Sequence, residues 1–421
     1  MAYLTSLLEL PFNSSPSTIM HIDLNSCFAT IEQQANPKLR GKPVVVAAYA
    51  SKNGCILAPS IEAKRYGIKT GMRVRDGQKL YPSLIVLPAD PWKYRNIHLK
   101  LRKLINEYTD NFKPKSIDEF VLDLKGMPIY SRGMREVGAE IKKRIRREIG
   151  EWLTVSVGIG PNRFLAKTAA GLKKPDGLEE INKDNFLETY LGLELVDLCG
   201  IARKNERRLQ KLNIHTVLDF YAADLRMIKA AFHSVVGYDW YLRLRGWEID
   251  DGEQNRRTYG NSFALPKPFS KPSDLAPILQ KLVEKMSFRL RRAGYKAQGV
   301  YVSILYRDGY KFSKGHKLGR IIFESREIFK EAFRLLTLSP CEGPVANLAV
   351  SCFNLVDNTS SQLELFSDTL RKEKLAKAVD RINERWGNFV ITPARMAYTK
   401  DVVHDRISFG GVKELEEFTF G

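Results

Sequence analysis

Apolar residues along the chain fall into short blocks whose spacing switches between strand and helix periods. The block from Ile19 to Leu24 predicts a buried strand ending on a carboxylate, Asp23. A helix follows from Ser26 to Gln34, and Asn36-Pro37 breaks it. Val44 to Ala48 predicts a second strand, and a glycine-containing turn at Lys52 to Gly54 leads into a helix around Ile61 to Tyr66. Between Asp90 and Tyr108, Tyr94, Ile97, Leu101, Leu104, Ile105 and Tyr108 recur at helical spacing. Next come a strand over Ile117 to Leu124, a basic helix from Met134 to Ile149, a Val-rich strand over Leu153 to Ile159 and a helix from Asn162. Strands alternating with helices predict an α/β fold around a mixed sheet.

From Asp184 to about Gly246 the pattern is of short helices separated by loops, which predicts a small helical domain. The polar stretch Asp250 to Arg257 reads as a linker. Beyond it the order is strand, helix, strand, strand, helix, strand, with the first helix from Ser273 to about Gly294. Val300 to Tyr306 and Leu348 to Val356 alternate as half-buried strands do, and a further helix is expected from Leu370 to Trp386.

Charge narrows the partner class. Lys and Arg number 67 against 48 Asp and Glu, a formal net charge of +19 that favours a polyanion such as nucleic acid. Cys27, Cys55, Cys199, Cys341 and Cys352 are scattered without a C-x-x-C pair, so neither a zinc site nor a disulfide framework is expected, and a reducing cytoplasm fits. No apolar run is long enough to span a membrane, and the N-terminal residues lack the basic flank of a signal peptide.

Asp23 ends one predicted strand, and Asp118 and Glu119 open another, so three acids set in apolar surroundings could converge at one edge of a sheet. Divalent cations are the usual means of offsetting the cost of burying such groups, and hard oxygen ligands suit Mg²⁺ or Mn²⁺. A strict strand points Asp118 and Glu119 to opposite faces, so both reach one site only from a strand end, bulge or hairpin tip; a solvated turn is the alternative.

The segments HIDLNSCFATIE (His21 to Glu32) and SIDEF (Ser116 to Phe120) resemble the two metal-binding motifs of Y-family DNA polymerases. LRGKPVVV, EAKRYGIKTGM from Glu62 and SVGIGPNRFLAKTAAGLKKPDG from Ser156 follow in the family's order and spacing, so the resemblance extends from Ile19 to about Phe409. It implies a right-hand polymerase: an N-terminal extension (1–18), a palm with a mixed sheet (19–32 and 89–183), small fingers (33–88) and a helical thumb with a helix-hairpin-helix (184–249). A linker (250–258), a βαββαβ little finger (259–409) and a tail (410–421) complete it. The implied activity is low-fidelity, low-processivity translesion synthesis on primer-template DNA with deoxynucleoside triphosphates, without proofreading, by a cytoplasmic, nucleoid-associated monomer. Asp23, Asp118, Glu119 and the carbonyl of Leu24 are then expected to hold two Mg²⁺, with Mn²⁺ as a substitute. Ser26, Cys27, Phe28, Lys64 and Lys167 are expected to contact the nucleotide, Phe28 as the steric gate under the sugar and Lys167 at the triphosphate.

Two positions depart from the polymerase IV type: Ile61 and Lys64 stand where many members carry Tyr and Arg, which predicts weaker triphosphate contacts. The Asp23-x-Asn25 spacing is closer to the polymerase V catalytic subunit, so accessory mutagenesis subunits join the expected partners. LCGIARKNERRLQKL (Leu198 to Leu212) resembles the thumb hairpin, with Lys204, Arg207 and Arg208 as phosphate contacts and Ala202 in place of a second glycine. In the last domain Lys267, Arg289, Arg292, Lys296, Lys311, Lys314 and Lys317 are expected to grip the duplex backbone. Gln362-Leu363-Glu364-Leu365-Phe366 resembles the bacterial sliding-clamp-binding pentapeptide, with Gln362, Leu363, Leu365 and Phe366 as the contacts. Two other classes compete: a non-catalytic DNA and clamp adaptor of the same fold, against which the complete acid set argues, and a nucleotide cyclase, against which the hairpin and the basic final domain argue.

Overall fold

β1 (Ile19–Leu24) is buried almost throughout because both its faces are covered: Met20, Ile22 and Leu24 join the main core, and Ile19 packs with Val121 and Ala166 on the opposite face. The computed structural model, which describes residues 10–252, 256–340, 343–357, 369–387, 389–397 and 399, sets this strand in a five-stranded sheet ordered β5-β6-β1-β7-β8. Its partners are β5 (Phe112–Pro114), β6 (Glu119–Asp123), β7 (Val155–Gly160) and β8 (Leu178–Glu180); only the β7–β8 pair is parallel. The sheet packs against α1 (Cys27–Ala35), and its core extends to residues of Pro91–Asn106 and Met134–Arg144. The predicted basic helix to Ile149 changes character at Arg144 and finishes as a π-turn over Ile145–Ile149.

The fingers insert after α1. They hold a small sheet of β2 (Val44–Ala47), β3 (Ile56–Pro59) and β4 (Ile85–Pro88), with α2 (Ile61–Arg65) and α3 (Val74–Leu80) around a core that includes Val45, Ile56, Ile68 and Leu84. The chain returns to the palm through α4 (Pro91–Asn106) and α5 (Met134–Arg144).

After β7 comes α6 (Arg163–Leu172), capped by Asn162, whose side chain accepts from the Leu165 N–H at 2.7 Å. Gly158 and Gly160 serve this junction rather than a nucleotide. A Cβ on Gly158 would lie 2.0 Å from the Ala166 carbonyl oxygen, so only glycine lets α6 lie this close to β7.

Five short helices make the thumb: α7 (Phe186–Leu191), α8 (Arg203–Gln210), α9 (Val217–Ala222), α10 (Leu225–Phe232) and α11 (Val236–Leu244). Part of the expected N-terminal extension belongs to this core: Phe12 stacks on Phe186 with centroids 4.1 Å apart, and Trp247 donates to the Pro11 carbonyl at 3.1 Å. Asn162 ties palm to thumb by donating to the carbonyls of Arg243 and Trp247, both at 3.0 Å.

The chain divides into two compact units, with the boundary falling after Gly252, inside the predicted linker. The second unit has the predicted βαββαβ order: β9 (Thr258–Ala264), α12 (Pro272–Arg292), β10 (Tyr295–Tyr306), β11 (Lys311–Ile322), α13 (Ser325–Leu336) and β12 (Val345–Asp357). Its strands form an antiparallel sheet ordered β11-β10-β12-β9. Val300, Val302 and Ile304 point into the core with α12 and α13, while Tyr301 and Leu305 point away. A last helix, α14 (Thr369–Trp386), follows. The pentapeptide 362–366, Cys341 and the tail 410–421 lie outside the described residues, as do residues 253–255 of the linker. The four described cysteines are free, and no helix among the described residues is long and apolar enough to cross a membrane.

Candidate active site

The antiparallel register of β1 and β6 sets Asp23 directly opposite Glu119. Asp118 precedes β6, and its carbonyl accepts from the Leu24 N–H at 2.9 Å. The adjacent acids therefore occupy a strand end, the arrangement that frees them from opposite faces. Asp118 turns its carboxylate onto the Ser116 hydroxyl, which donates to Oδ1.

Two lysines balance the acids. Lys167, on α6, donates to both oxygens of Glu119 at 3.0 and 2.8 Å, and Lys174 donates to Asp23 Oδ2. Asn25 sets the second contact. This buried amide donates to Ser156 Oγ at 2.9 Å and accepts from Thr154 Oγ1 at 3.1 Å and from the Asp176 N–H at 2.8 Å. It thereby fixes the loop that carries Lys174 to the end of β1.

Burial pushes the Asp23 carboxyl above its ordinary range although Lys174 pulls the other way, and burial likewise raises Asp118. Burial would raise Glu119 too, but the hydrogen bond and charge of Lys167 bring it below the usual range. His21, on the central strand β1, lies 3.7 Å from Glu119 and is pushed down to about 3, chiefly by burial, so its imidazole is neutral. Ligand atoms of His21, Asp23 and Glu119 lie within 4.8 Å of one another. Three hard carboxylates gathered at one sheet end, two of them with raised pKa, fit a divalent-cation site. His21 is the unexpected member and Asp118 stands outside the tight cluster.

The acids open into a cleft of about 790 Å³ between palm and fingers. Of the predicted nucleotide contacts, Ser26, Cys27, Phe28 and Lys64 line it, as does Leu24. Ser26 adopts left-handed backbone (φ 50°), unusual for a residue with a side chain, and this reverses the chain from β1 into α1. Lys167 does not line it and donates to Glu119, whereas Lys174, which donates to Asp23, lines the wall with Lys115 and Arg65. Burial lowers the pKa of Lys64 and Lys115, the mark of cations held close together in a partly desolvated wall. The sequence signal for Lys174 was the KKPDG segment beside the motif, which carries no charge pattern that separates it from a surface lysine.

In the thumb, Gly200 has φ +101° and a Cβ there would meet Trp240 at 3.2 Å, so this glycine is required. Ala202 has ordinary extended backbone (φ −101°, ψ 171°), so replacing the expected second glycine leaves the turn unstrained. Lys204, Arg207 and Arg208 are exposed on α8.

The basic residues of the second unit do not form one surface. Lys311 pairs with Leu305 and Lys317 with Gly299, on the open face of the sheet, whereas Lys314 pairs with Val302 and so points to the helix-covered side. Arg289 donates to the Gly260 carbonyl at 2.7 Å, Arg292 lies 3.9 Å from Glu384, Lys296 is paired with Glu373, and Lys267 is in the loop after β9.

The impB/mucB/samB family model matches residues 22–171, and the model of that family's C-terminal domain matches residues 256–365. A DNA polymerase IV of Pelotomaculum thermopropionicum is 32% identical over 92% of this chain and 97% of its own. DNA polymerase IV 1 of Bacillus subtilis is 32% identical over 89% of this chain and 91% of its own. Among solved structures, a Y-family DNA polymerase chimera of Dbh and Dpo4 superposes with a TM-score of 0.71 at 25% identity, covering 81% of this chain and 99% of that one. An insertion ternary complex of Dbh DNA polymerase shares the fold, with a TM-score of 0.55 at 24% identity. The chain belongs to the impB/mucB/samB family and is a Y-family, DNA-directed translesion DNA polymerase.

Proposed function

We propose that synthesis proceeds by two-metal nucleotidyl transfer at the end of β1, with Asp23, Asp118, Glu119 and the Leu24 carbonyl holding two Mg²⁺, or Mn²⁺ in their place. The observation that carries this reading is the register that sets Asp23 against Glu119 with Asp118 beside them, at the floor of a cleft walled by Lys64, Lys115 and Lys174. When bound, the cations supply charge neutralisation for the triphosphate and a more acidic primer 3′ hydroxyl.

The chain's own residues do the rest. Lys174, beside Asp23, is the cation placed to take up a triphosphate oxygen, and Lys64 and Arg65 extend the same wall. Lys167 orients Glu119. Phe28, only 3% exposed on the cleft lining, forms a flat floor for a deoxyribose and leaves no space for a 2′ hydroxyl. Lys204, Arg207 and Arg208 of the thumb, and Lys311 and Lys317 on the open sheet face, contact template and primer phosphates without reading bases. The small fingers, residues 33–88, lack a long closing helix, which fits low fidelity.

Residues 362–366 bind the sliding clamp and place the enzyme at the replication fork, in the cytoplasm on the nucleoid. Accessory mutagenesis subunits are a further partner class, favoured by the Asp23-x-Asn25 spacing.

Counting Mn²⁺ bound to the protein on dideoxy-terminated primer-template with the next nucleotide tests the metal assignment. Two ions are expected for the wild type and fewer for Asp23→Asn; an unchanged count removes Asp23 from the site.

A further inference from the structure

α14 turns a mixed face to the body of the unit, with Ala376 and Val379 half-buried beside three acids. Glu373, Asp380 and Glu384, spaced by seven and four residues, face the body of the unit. Arg291 grips Asp380 through two hydrogen bonds of 2.7 Å, Lys296 pairs with Glu373, and Arg292 lies 3.9 Å from Glu384. Leu375, Ile382 and Trp386 repeat the same spacing two residues later, which carries them about 160° around the helix. They are 62%, 38% and 67% exposed. Three large apolar side chains left in water on one line of a helix, among Lys374, Lys377, Arg381 and Arg385, form a stripe available for a partner to cover.

The stripe is too small to hold a partner alone. Three side chains bury on the order of 400 Å², about half of what one side of a stable interface needs. Its occupant must therefore be held by a second contact nearby. The docking peptide in reach is residues 362–366: three residue steps separate Phe366 from Thr369 at the start of α14, at most about 11 Å of chain. Whatever binds the pentapeptide thus meets α14 as an intramolecular neighbour at high effective concentration. Lys374 and Arg385, exposed beside the stripe, suit an acidic rim around the apolar contact.

We propose that the Leu375–Ile382–Trp386 stripe is a second docking surface for the sliding clamp, engaged once the pentapeptide is seated. This rests on the reading of residues 362–366 as the clamp-binding peptide.

The test measures affinity for the sliding clamp of the source organism, and clamp-free primer extension, for the wild type, Leu375→Ser/Trp386→Ser and Phe366→Ala. The double variant is expected to weaken clamp binding about 5- to 30-fold, the effect of losing an interface anchor, with clamp-free extension unchanged. Hydrogen exchange on the wild type covers the case in which substitution unfolds the helix: residues 369–386 are expected to gain protection when the clamp is added. Binding lost in Phe366→Ala but kept in the double variant, with no gain of protection, overturns the stripe and leaves the pentapeptide standing. Binding kept in Phe366→Ala overturns the pentapeptide reading, and the stripe falls with it. A wild-type dimer that the double variant abolishes while clamp affinity stays the same makes a second copy the occupant and likewise overturns the proposal.

Discussion

The ring of Phe28 lies on the ring of Tyr94, with centroids 4.4 Å apart and planes 17° from parallel. The Tyr94 hydroxyl donates to Glu32 Oε1 at 2.9 Å, and Lys93 holds the other oxygen of Glu32 at 2.7 Å. The floor of the cleft thus rests on a buried ring that is itself anchored by an ion pair. Phe28→Ala is expected to raise ribonucleotide incorporation by about 10- to 200-fold relative to deoxynucleotide, the range that one steric contact commands. Competition between the two nucleotides in single-nucleotide insertion measures it; unchanged sugar selection removes Phe28 from the gate.

The two active-site lysines separate kinetically. Lys174 lines the cleft, so Lys174→Ala is expected to raise the KM for nucleotide with a smaller change in kcat. Lys167 touches Glu119 instead, so Lys167→Ala is expected to lower kcat by about 10-fold or more with KM little changed. Steady-state insertion kinetics on one template read both, and the reverse pattern contradicts the assignment.

Gly158→Ala tests the packing of α6 on β7. The added methyl would overlap the backbone of Ala166 and Ala170, which cannot yield as a side chain can. A loss of about 3 kcal/mol or more is expected. Thermal unfolding checks it, and a wild-type Tm would show that the helix is free to shift.

His98 gives an acid-side signature. Its buried ring stacks on Phe120 and hydrogen-bonds through Nδ1 to the Ile117 carbonyl at 2.8 Å, and burial holds its pKa below 6.5. Below about pH 6.5 the unfolded chain binds a proton there more readily than the folded chain does, so this contribution to stability is present above that pH and is lost as pH falls. Replacing the ring by a neutral amide in His98→Gln is expected to flatten the decline of stability as pH falls below about 6.5. Denaturant titrations at several pH values measure the slope; equal slopes for variant and wild type contradict the neutral buried imidazole.

The strands and helices of the palm and last domain were legible because their apolar spacing is strong: IMHIDL is the central strand and Leu275 to Leu290 the buried face of α12. The acids were legible as residues. The relation between Asp118 and Glu119 was not, because it depends on β6 starting one residue after Asp118, a boundary that spacing does not fix. Lys174 was missed because its position comes from Asn25 across a gap of 151 residues to Asp176. The scatter of Lys311, Lys314 and Arg289 over different faces follows from strand register and from hydrogen bonds to distant carbonyls, neither of which charge counting detects.

The most direct test of the central claim is extension of a labelled primer on template DNA with Mg²⁺ and deoxynucleotides, comparing the wild type with Asp118→Ala/Glu119→Ala. Template-dependent extension by the wild type and its loss in the variant are expected, with primer-template affinity retained. Extension by the variant at the wild-type rate would contradict the carboxylate site at the end of β1.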